Sequence, residues 1–272
     1  MPKLSIITVN LNNREGLRKT AESVVSQTYK DYEWIVIDGG STDGSKELIE
    51  QYAEHISYWV SEPDKGIHNA MNKGILKAQG EYCFFLNSGD YLIDWNVLNK
   101  VFAISFSEDV VHGNVLFDFG NHKEVRNTPE TITLRTFVEK TINHSGCAFI
   151  RHSAFEKWGL YDENLKIVSD WKWFLRALGL ENATDRYIDV TISVFDCSGI
   201  SIAQKELLQI ERDMVLKEEI KERILLDYMK FSNFEDALFE QEKKIRGSLS
   251  YKIGSFILSP FRCIKNVLRR FQ

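Results

Sequence analysis

Polar side chains follow several apolar runs of this sequence, at positions where a bound nucleotide could be held. Asp90 ends the stretch GEYCFFLNSGD, in which a short aromatic run is broken by a polar turn. Asp38 ends the run EWIVID, and Lys65 follows the next apolar run. A carboxylate can accept from a base or a ribose hydroxyl or hold a divalent cation on a diphosphate, and Lys65 can meet a phosphate. Each residue alone is also a common turn or cap residue.

Strands must position these side chains, and the apolar pattern predicts where the strands lie. Runs rich in β-branched and aromatic residues predict four strands, at residues 4–9, 33–38, 56–60 and 82–86. Segments with apolar residues at helical spacing separate them, so the class is α/β with a mainly parallel central sheet flanked by helices. Ligands of such sheets bind beyond the carboxyl ends of the strands, which is where Asp38 and Asp90 would stand.

The turn after the first strand argues against other nucleotide-binding classes. It reads VNLNNREG and lacks the GxGxxG pattern of dinucleotide-binding proteins, and the sequence has no Walker loop. A sugar nucleotidyltransferase would share the sheet and the metal. It would also need a glycine-rich loop with Arg or Lys at this turn to bind a triphosphate, and the turn does not provide one.

Composition indicates how many domains the chain can form and in which compartment we expect it. With 272 residues, of which 43% are hydrophobic, the chain can form one large domain or one domain with an appendage. The four cysteines lack paired spacing, which fits a reducing compartment; they are Cys83, Cys147, Cys197 and Cys263. The first strand begins at residue 4, which leaves no room for a secretory signal, so we expect a chain that is not exported.

The charge distribution is strongly asymmetric. The net charge is −5, yet all 39 acidic side chains lie at or before Glu242. Residues 243–272 carry eight Lys and Arg side chains and no acid, with apolar residues between them at roughly helical spacing. This segment is too short and too charged to span a bilayer, but it suits an anionic membrane surface. The alternative is a pair of solvated helices.

Several long motifs resemble the family 2 glycosyltransferases, inverting enzymes of the GT-A fold. They are LSIITVNLNN, SVVSQTYKDYEWIVIDGGSTDGS, SEPDKGIHNAMNKGILKAQGEYCFFLNSGD and HSGCAFIRHSAFEKWGLYDENLKIVSDWKWFLR, and they cover about the first 200 residues in order. Within the family the sequence is most similar to bacterial enzymes that build surface polysaccharides. The resemblance implies a hexosyltransferase-like enzyme that uses a nucleotide-diphosphate sugar, a UDP- or GDP-sugar, and Mg²⁺ or Mn²⁺.

The resemblance also assigns the donor site. It places six residues at the nucleotide sugar: Val9, Leu11, Asp38, Lys65, Ser88 and Asp90. Val9 and Leu11 would line the base pocket, and Asp90 would also bind the metal. Many relatives carry further acids where this chain has Gly39, Asn87 and Gly89. A metal site remains feasible, because Mg²⁺ is often held by one or two carboxylates plus substrate phosphates and water.

On the acceptor side, the resemblance makes Asp170 the catalytic base. Inversion needs one carboxylate to take the proton of the acceptor hydroxyl. The alternative is that Asp170, in the first turn of a predicted helix, only caps that helix. His144 and Trp171 would contact the acceptor, although His144 is also consistent with a structural, hydrogen-bonded histidine.

These patterns predict the domain organisation. Residues 1–203 would form the GT-A catalytic domain, with a nucleotide-binding half at 1–90 and an acceptor half at 91–203. Residues 204–242 would be an amphipathic helical extension, read as one long helix, and 243–272 the basic tail. In the acceptor half we predict a helix at 92–102 and strands at 110–117 and 144–150.

The predicted function is an inverting transferase that moves a sugar to a hydroxyl of a lipid-linked saccharide in surface polysaccharide synthesis. We expect it in the cytoplasm, peripheral on the inner face of the plasma membrane, where the basic tail would meet anionic lipid. No nucleic acid partner is expected. The alternative is an inactive nucleotide-sugar-binding adaptor of a polysaccharide assembly complex, which the sparse acids of residues 87–90 motivate.

Overall fold

The computed structural model describes residues 1–139, 142, 146–197 and 204–248. Strands and helices alternate over its first 90 residues as β1 (Leu4–Asn10), α1 (Arg14–Val25), β2 (Tyr32–Asp38), α2 (Ser45–Gln51), β3 (Tyr58–Ser61), α3 (Ile67–Lys77) and β4 (Tyr82–Phe85). All four predicted strands are present. The helix α1 begins where the side chain of Asn13 accepts from the backbone N–H of Gly16.

The following segment contains more elements than the apolar pattern indicated. They are β5 (Tyr91–Leu92), α4 (Val97–Phe102), β6 (Val110–Asp118), β7 (Lys123–Arg126), α5 (Leu134–Glu139), β8 (Ala148–Arg151), α6 (His152–Trp158), α7 (Ser169–Phe174) and β9 (Asp185–Asp196). The helix α7 continues as a π-helix over Leu175–Leu180.

Two of the predicted boundaries in this half are wrong. The predicted helix at 92–102 begins only at Val97, because Tyr91 and Leu92 pair with Val194 and Ser193 of β9 as a short strand. The predicted strand at 144–150 begins at Ala148, after a turn. At Tyr91–Leu92 pairing with a distant strand sets the boundary, and a local window of sequence does not contain that information. At β8 the boundary follows Gly146, whose φ of 78° belongs to the preceding turn.

The nine strands form one sheet in the order β3-β2-β1-β4-β8-β6-β9-β5, with β7 paired to β6. The first four strands are parallel, whereas β8 and β5 run antiparallel to their neighbours. The register places Asn10 beside Asp38 and Asp38 beside Ser61. The carboxyl ends of the first strands therefore meet at one edge of the sheet.

The core covers both faces of the central strands. Every residue of β1 and β4 is buried, as expected for parallel strands with helices on both sides. On one face Phe84 stacks on Phe149 of β8, with ring centroids 4.6 Å apart. On the other face α3 packs tightly on β1, since a Cβ atom at Gly74 would lie 2.5 Å from the side chain of Ile7. A glycine is therefore required at position 74.

The C-terminal segment contains two helices, α8 (Lys205–Glu219) and α9 (Glu222–Gly247). The prediction of one long helix is wrong, because Lys221 adopts an extended conformation and interrupts it. The chain divides into two compact units, Met1–Val215 and Leu216–Gln272, so the first eleven residues of α8 belong with the sheet. Among the residues described, none of the helices combines the length and apolar character needed to cross a bilayer.

Candidate active site

Asp38 ties together the ends of the first three strands. Its carboxylate is buried and accepts from Asn10 Nδ2 at 2.7 Å, Ser61 Oγ at 2.6 Å, and the hydroxyl and backbone N–H of Ser41 at 2.5 and 2.9 Å. Burial acts to raise the pKa of Asp38, but the hydrogen bonds from Ser41, Ser61 and Asn10 outweigh it and hold the pKa below its ordinary value. The carboxylate therefore stays ionised and organises the loops at this edge.

The loop after β1 is joined to the loop after β2 by reciprocal hydrogen bonds. Asn12, with φ of 48°, donates its N–H to Ser41 Oγ at 2.7 Å and accepts from the N–H of Thr42 at 2.9 Å. Between these anchors Leu11 is 57% exposed, whereas Val9 is buried in β1. Of the two residues predicted to line a base pocket, Leu11 is therefore the one that faces outward.

Asp64 occupies the space beside Gly39. A Cβ atom at Gly39 would lie 2.6 Å from Oδ2 of Asp64 and 3.2 Å from Leu11. The carboxylate of Asp64 therefore lies where a side chain at position 39 would begin. Lys65 follows it as an exposed residue before α3.

The loop that carries Asp90 is held by α1. The hydroxyl of Thr20 donates to the carbonyl of Asp90 at 2.7 Å and accepts from the N–H of Gly89 at 3.1 Å. Asn13 Nδ2 donates to the carbonyl of Ser88 at 3.0 Å. Gly89 has φ of 107°, a conformation that favours glycine. The loop is thus fixed by α1.

Asp90 and Asp196 lie side by side across this loop. Asp90 is only 4% exposed, and its Oδ1 accepts from the backbone N–H of Asp196 at 2.9 Å. The carboxylate of Asp196 also lies against this loop, with Oδ2 3.1 Å from where a Cβ atom on Gly89 would stand. Sequence reasoning missed Asp196. The signal was present, because Asp196 ends the strand DRYIDVTISVFD as Asp38 ends its own.

The donor set at this loop suits a hard divalent cation. In the described part of the chain no group of three His, Cys, Asp or Glu side chains could hold a metal alone. Asp90 and Asp196 supply two carboxylates, and Asn87 Oδ1 is buried without a hydrogen-bond partner among the described residues. Mg²⁺ and Mn²⁺ prefer such oxygens, and a diphosphate and water can complete the coordination.

A cleft of about 640 Å³ opens beside the Asp90–Asp196 pair. Gly89 and Asp196 line it, together with residues of α1 and the end of β6. Its walls carry both signs of charge, from Lys19, Glu22 and Asp118. Asp118 is itself paired with Lys123 at 3.0 Å. The cleft thus presents a polar surface beside Asp196 and Gly89.

Asp170 lies in the first turn of α7, as predicted. Its Oδ1 accepts from the N–H of Trp171 at 2.7 Å. Its neighbour Tyr161 is buried, and burial, with the charge of Asp170 as a second cause, raises the pKa of Tyr161 well above its ordinary value. The ring of Tyr161 lies 5.6 Å from that of Phe85, the last residue of β4. Tyr161 therefore lies within reach of the charge of Asp170 and packs on the strand that leads into the Asp90 loop.

The two residues predicted to contact the acceptor are Trp171 and His144. Trp171 is 4% exposed, and the guanidinium of Arg212 lies 4.8 Å from its ring centroid. A sugar could stack on that face only after Arg212 moved, so stacking stays a prediction. His144 lies outside the described residues.

Residues 5–159 match the family model described as "Glycosyl transferase family 2". An uncharacterised glycosyltransferase of Mycobacterium tuberculosis (strain H37Rv) is 34% identical over 73% of this chain and 77% of its own length. A glycosyltransferase of Mycobacterium bovis (strain BCG), described as acting in PGL/p-HBAD biosynthesis, is 27% identical over 76% of this chain and 83% of its own.

Solved structures show the same fold at low sequence identity. Staphylococcus aureus TarS with UDP-GlcNAc aligns with a TM-score of 0.62 at 18% identity, over 81% of this chain and 68% of that one. This chain spans 41% of a longer TarS chain. A mannosyltransferase of Pyrobaculum calidifontis with GDP-Man and Mn²⁺ aligns with a TM-score of 0.55 at 13% identity, over 95% of this chain and 84% of that one. These likenesses confirm the predicted GT-A fold.

Proposed function

Because this chain belongs to glycosyl transferase family 2, we propose that it transfers a sugar from a UDP- or GDP-sugar to an acceptor hydroxyl with inversion. That it is a glycosyltransferase follows from the family; the donor, the stereochemistry and the acceptor are the proposal. The observation that carries the proposal is the position of Asp170 in the first turn of α7, where its carboxylate accepts from the backbone N–H of Trp171. Its charge acts on Tyr161, whose ring packs on Phe85 at the end of β4.

The proposed reaction is a single displacement. Asp170 takes the proton of the acceptor hydroxyl while its oxygen attacks the anomeric carbon. The bond from that carbon to the β-phosphate oxygen breaks, and the nucleoside diphosphate leaves. One carboxylate suffices for this chemistry, because inversion requires a base on one face of the sugar and a leaving group on the other.

A bound Mg²⁺ or Mn²⁺ would offset the negative charge of the departing diphosphate. Asp90 and Asp196 would hold it, with the amide oxygen of Asn87 as a neighbouring acceptor. The donor set supports this assignment, since Asp196 adds a carboxylate beside Gly89 in the loop that carries Asp90.

The rest of the predicted donor site is consistent with the loop geometry. Leu11 is exposed above the joined loops and could contact a base. Asp38 is already hydrogen-bonded by four protein donors, so a base or ribose contact would replace one of them. Lys65 and Ser88 would lie near the diphosphate.

A panel of UDP- and GDP-sugars, each with Mg²⁺ or Mn²⁺, tests the proposal. We expect at least one donor to raise the thermal unfolding midpoint and to release sugar slowly to water, because an active transferase uses water as a poor acceptor. The inactive adaptor predicts the thermal shift without sugar release. Absence of both effects for every donor would refute the proposed donor class.

The acceptor is proposed to be a lipid-linked saccharide, reached at the cytoplasmic face of the plasma membrane. The basic, acid-free segment 243–272 supports attraction to anionic lipid. The helix α9 adds exposed apolar side chains that could enter the interface, such as Phe231 at 71% exposure and Phe239.

Vesicle sedimentation checks this membrane contact. We expect the full chain to sediment with phosphatidylglycerol vesicles but not with phosphatidylcholine vesicles, and to be released by high salt. Changing Arg262, Lys265, Arg269 and Arg270 to Gln should abolish sedimentation. The matched control changes four exposed lysines of the first unit to Gln, namely Lys30, Lys46, Lys77 and Lys157. Equal loss in both variants would show a net-charge effect and contradict a role of the tail.

A further inference from the structure

The helix α8 places a buried carboxylate against the segment that leads into α7. Glu211 is 6% exposed, and both of its oxygens are used. Oε1 accepts from the backbone N–H of Lys166 at 2.8 Å, and Oε2 accepts from those of Ile167 and Val168 at 2.9 and 3.2 Å. A buried carboxylate is costly unless it is hydrogen-bonded, and three consecutive amides meet that need.

These three amides are the last before the helix that carries Asp170. Val168 occupies the N-cap position of α7, and its side chain makes no capping hydrogen bond. The first N–H groups of a helix lack partners within it, and negative charge there is favourable. Glu211 therefore holds the backbone up to the N-cap position of α7 and places a negative charge near the start of that helix, two residues before Asp170.

The next residue of α8, Arg212, contacts the side chain of the residue after Asp170. The guanidinium of Arg212 lies over the ring of Trp171, the residue that follows Asp170. Burial lowers the pKa of Arg212, and the negative charge of Asp170 opposes that shift. Two consecutive residues of α8 thus contact the backbone before Asp170 and the side chain after it.

We infer that Glu211 is a positioning residue for the catalytic base. By fixing residues 166–168 it fixes where α7 begins and hence the direction of the Asp170 side chain. This inference rests on the proposed role of Asp170. It also means that α8, which lies beyond the predicted catalytic domain at 1–203, completes the site. Rate depends steeply on such alignment, since a misplacement of about 1 Å can cost roughly 10²-fold.

The test is a double-mutant cycle with Glu211→Gln and Asp170→Asn, using the sugar nucleotide that gives the fastest hydrolysis in the panel. Gln offers an NH₂ donor to an amide N–H, so at least one hydrogen bond becomes a donor–donor contact. We expect Glu211→Gln to lower kcat by about 10- to 100-fold and to leave the donor KM within about 2-fold. In the Asp170→Asn background the same change should cause no further loss.

The matched control is Glu206→Gln, an exposed position on the same helix, which should keep wild-type kcat. If Glu211→Gln does not fold, Glu211→Asp keeps the charge but shortens its reach, and should lower kcat several-fold. A folded Glu211→Asp or Glu211→Gln protein with wild-type kcat would overturn the inference. An equal loss from Glu211→Gln in both backgrounds would also overturn it, while leaving Asp170 as the base. Wild-type kcat in Asp170→Asn alone would refute the base assignment itself.

Discussion

Asp170→Asn is expected to lower turnover by about 10² to 10⁴-fold, the usual contribution of a general base, while nucleotide binding stays near normal. Asn has almost the same shape as Asp, so it can still accept from the N–H of Trp171 as Asp170 does at 2.7 Å. It cannot take up the proton of the acceptor hydroxyl. The change therefore removes the proposed chemistry and leaves the local hydrogen bond in place.

Steady-state kinetics with the preferred sugar nucleotide, together with calorimetric titration of UDP or GDP, measure the two effects separately. Asp227→Asn is a suitable control, because Asp227 is exposed on α9 and carries the same chemical change. It should have wild-type kinetics. A folded Asp170→Asn protein with wild-type turnover would mean that Asp170 only caps α7.

Asp90→Ala is expected to abolish the metal dependence of nucleotide binding. In the presence of Mg²⁺ or Mn²⁺, binding should weaken by at least about 10- to 100-fold, because removing even a group that only supports a metal ligand has an effect of that size. Without Asp90, Asp196 is left as the single carboxylate at the loop. One carboxylate and a diphosphate hold a divalent cation less firmly than two do.

Asp90→Asn separates the metal from the fold of the loop. Asn keeps an oxygen that can accept from the N–H of Asp196, the contact that Asp90 makes at 2.9 Å, but it lacks the charge. Both variants should therefore lose metal dependence, and Asp90→Asn should be the more stable of the two. Asp118→Asn, in the same cleft, should keep the metal dependence of nucleotide binding. Calorimetric titration of UDP and GDP with and without Mn²⁺ is the measurement, and unchanged metal dependence in Asp90→Asn would rule out Asp90 as a metal ligand.

A carboxylate from elsewhere in the chain lies beside Gly39, which follows β2, and another lies beside Gly89 of the Asp90 loop. Asp64 Oδ2 lies 2.6 Å from the Cβ position of Gly39, and Asp196 Oδ2 lies 3.1 Å from that of Gly89. Acidic groups that the local sequence of these loops does not contain are thus brought near them by the fold, which favours a metal-assisted transferase over an inactive adaptor.

Local sequence was sufficient for the fold class, the first four strands and the positions of Asp38, Asp90 and Asp170 within their elements. Buried parallel strands are continuous apolar runs, and a polar residue that ends such a run lies at the edge of the sheet. These are properties of five to ten neighbouring residues, so a linear reading detects them. The motifs that resemble a glycosyltransferase family are local in the same sense.

The tertiary structure alone decided which distant residues meet. Pairing with β9 made a strand of Tyr91–Leu92, and the same strand brought Asp196 to Asp90 across more than 100 residues. Likewise, Glu211 reaches the amides before Asp170 from a helix that its apolar pattern marked as an appendage. Such contacts depend on how elements pack and not on the propensity of any one of them. The sequence by itself thus determined the first four strands and the acids Asp38 and Asp90 that follow their apolar runs, and only packing decided which acids share a site.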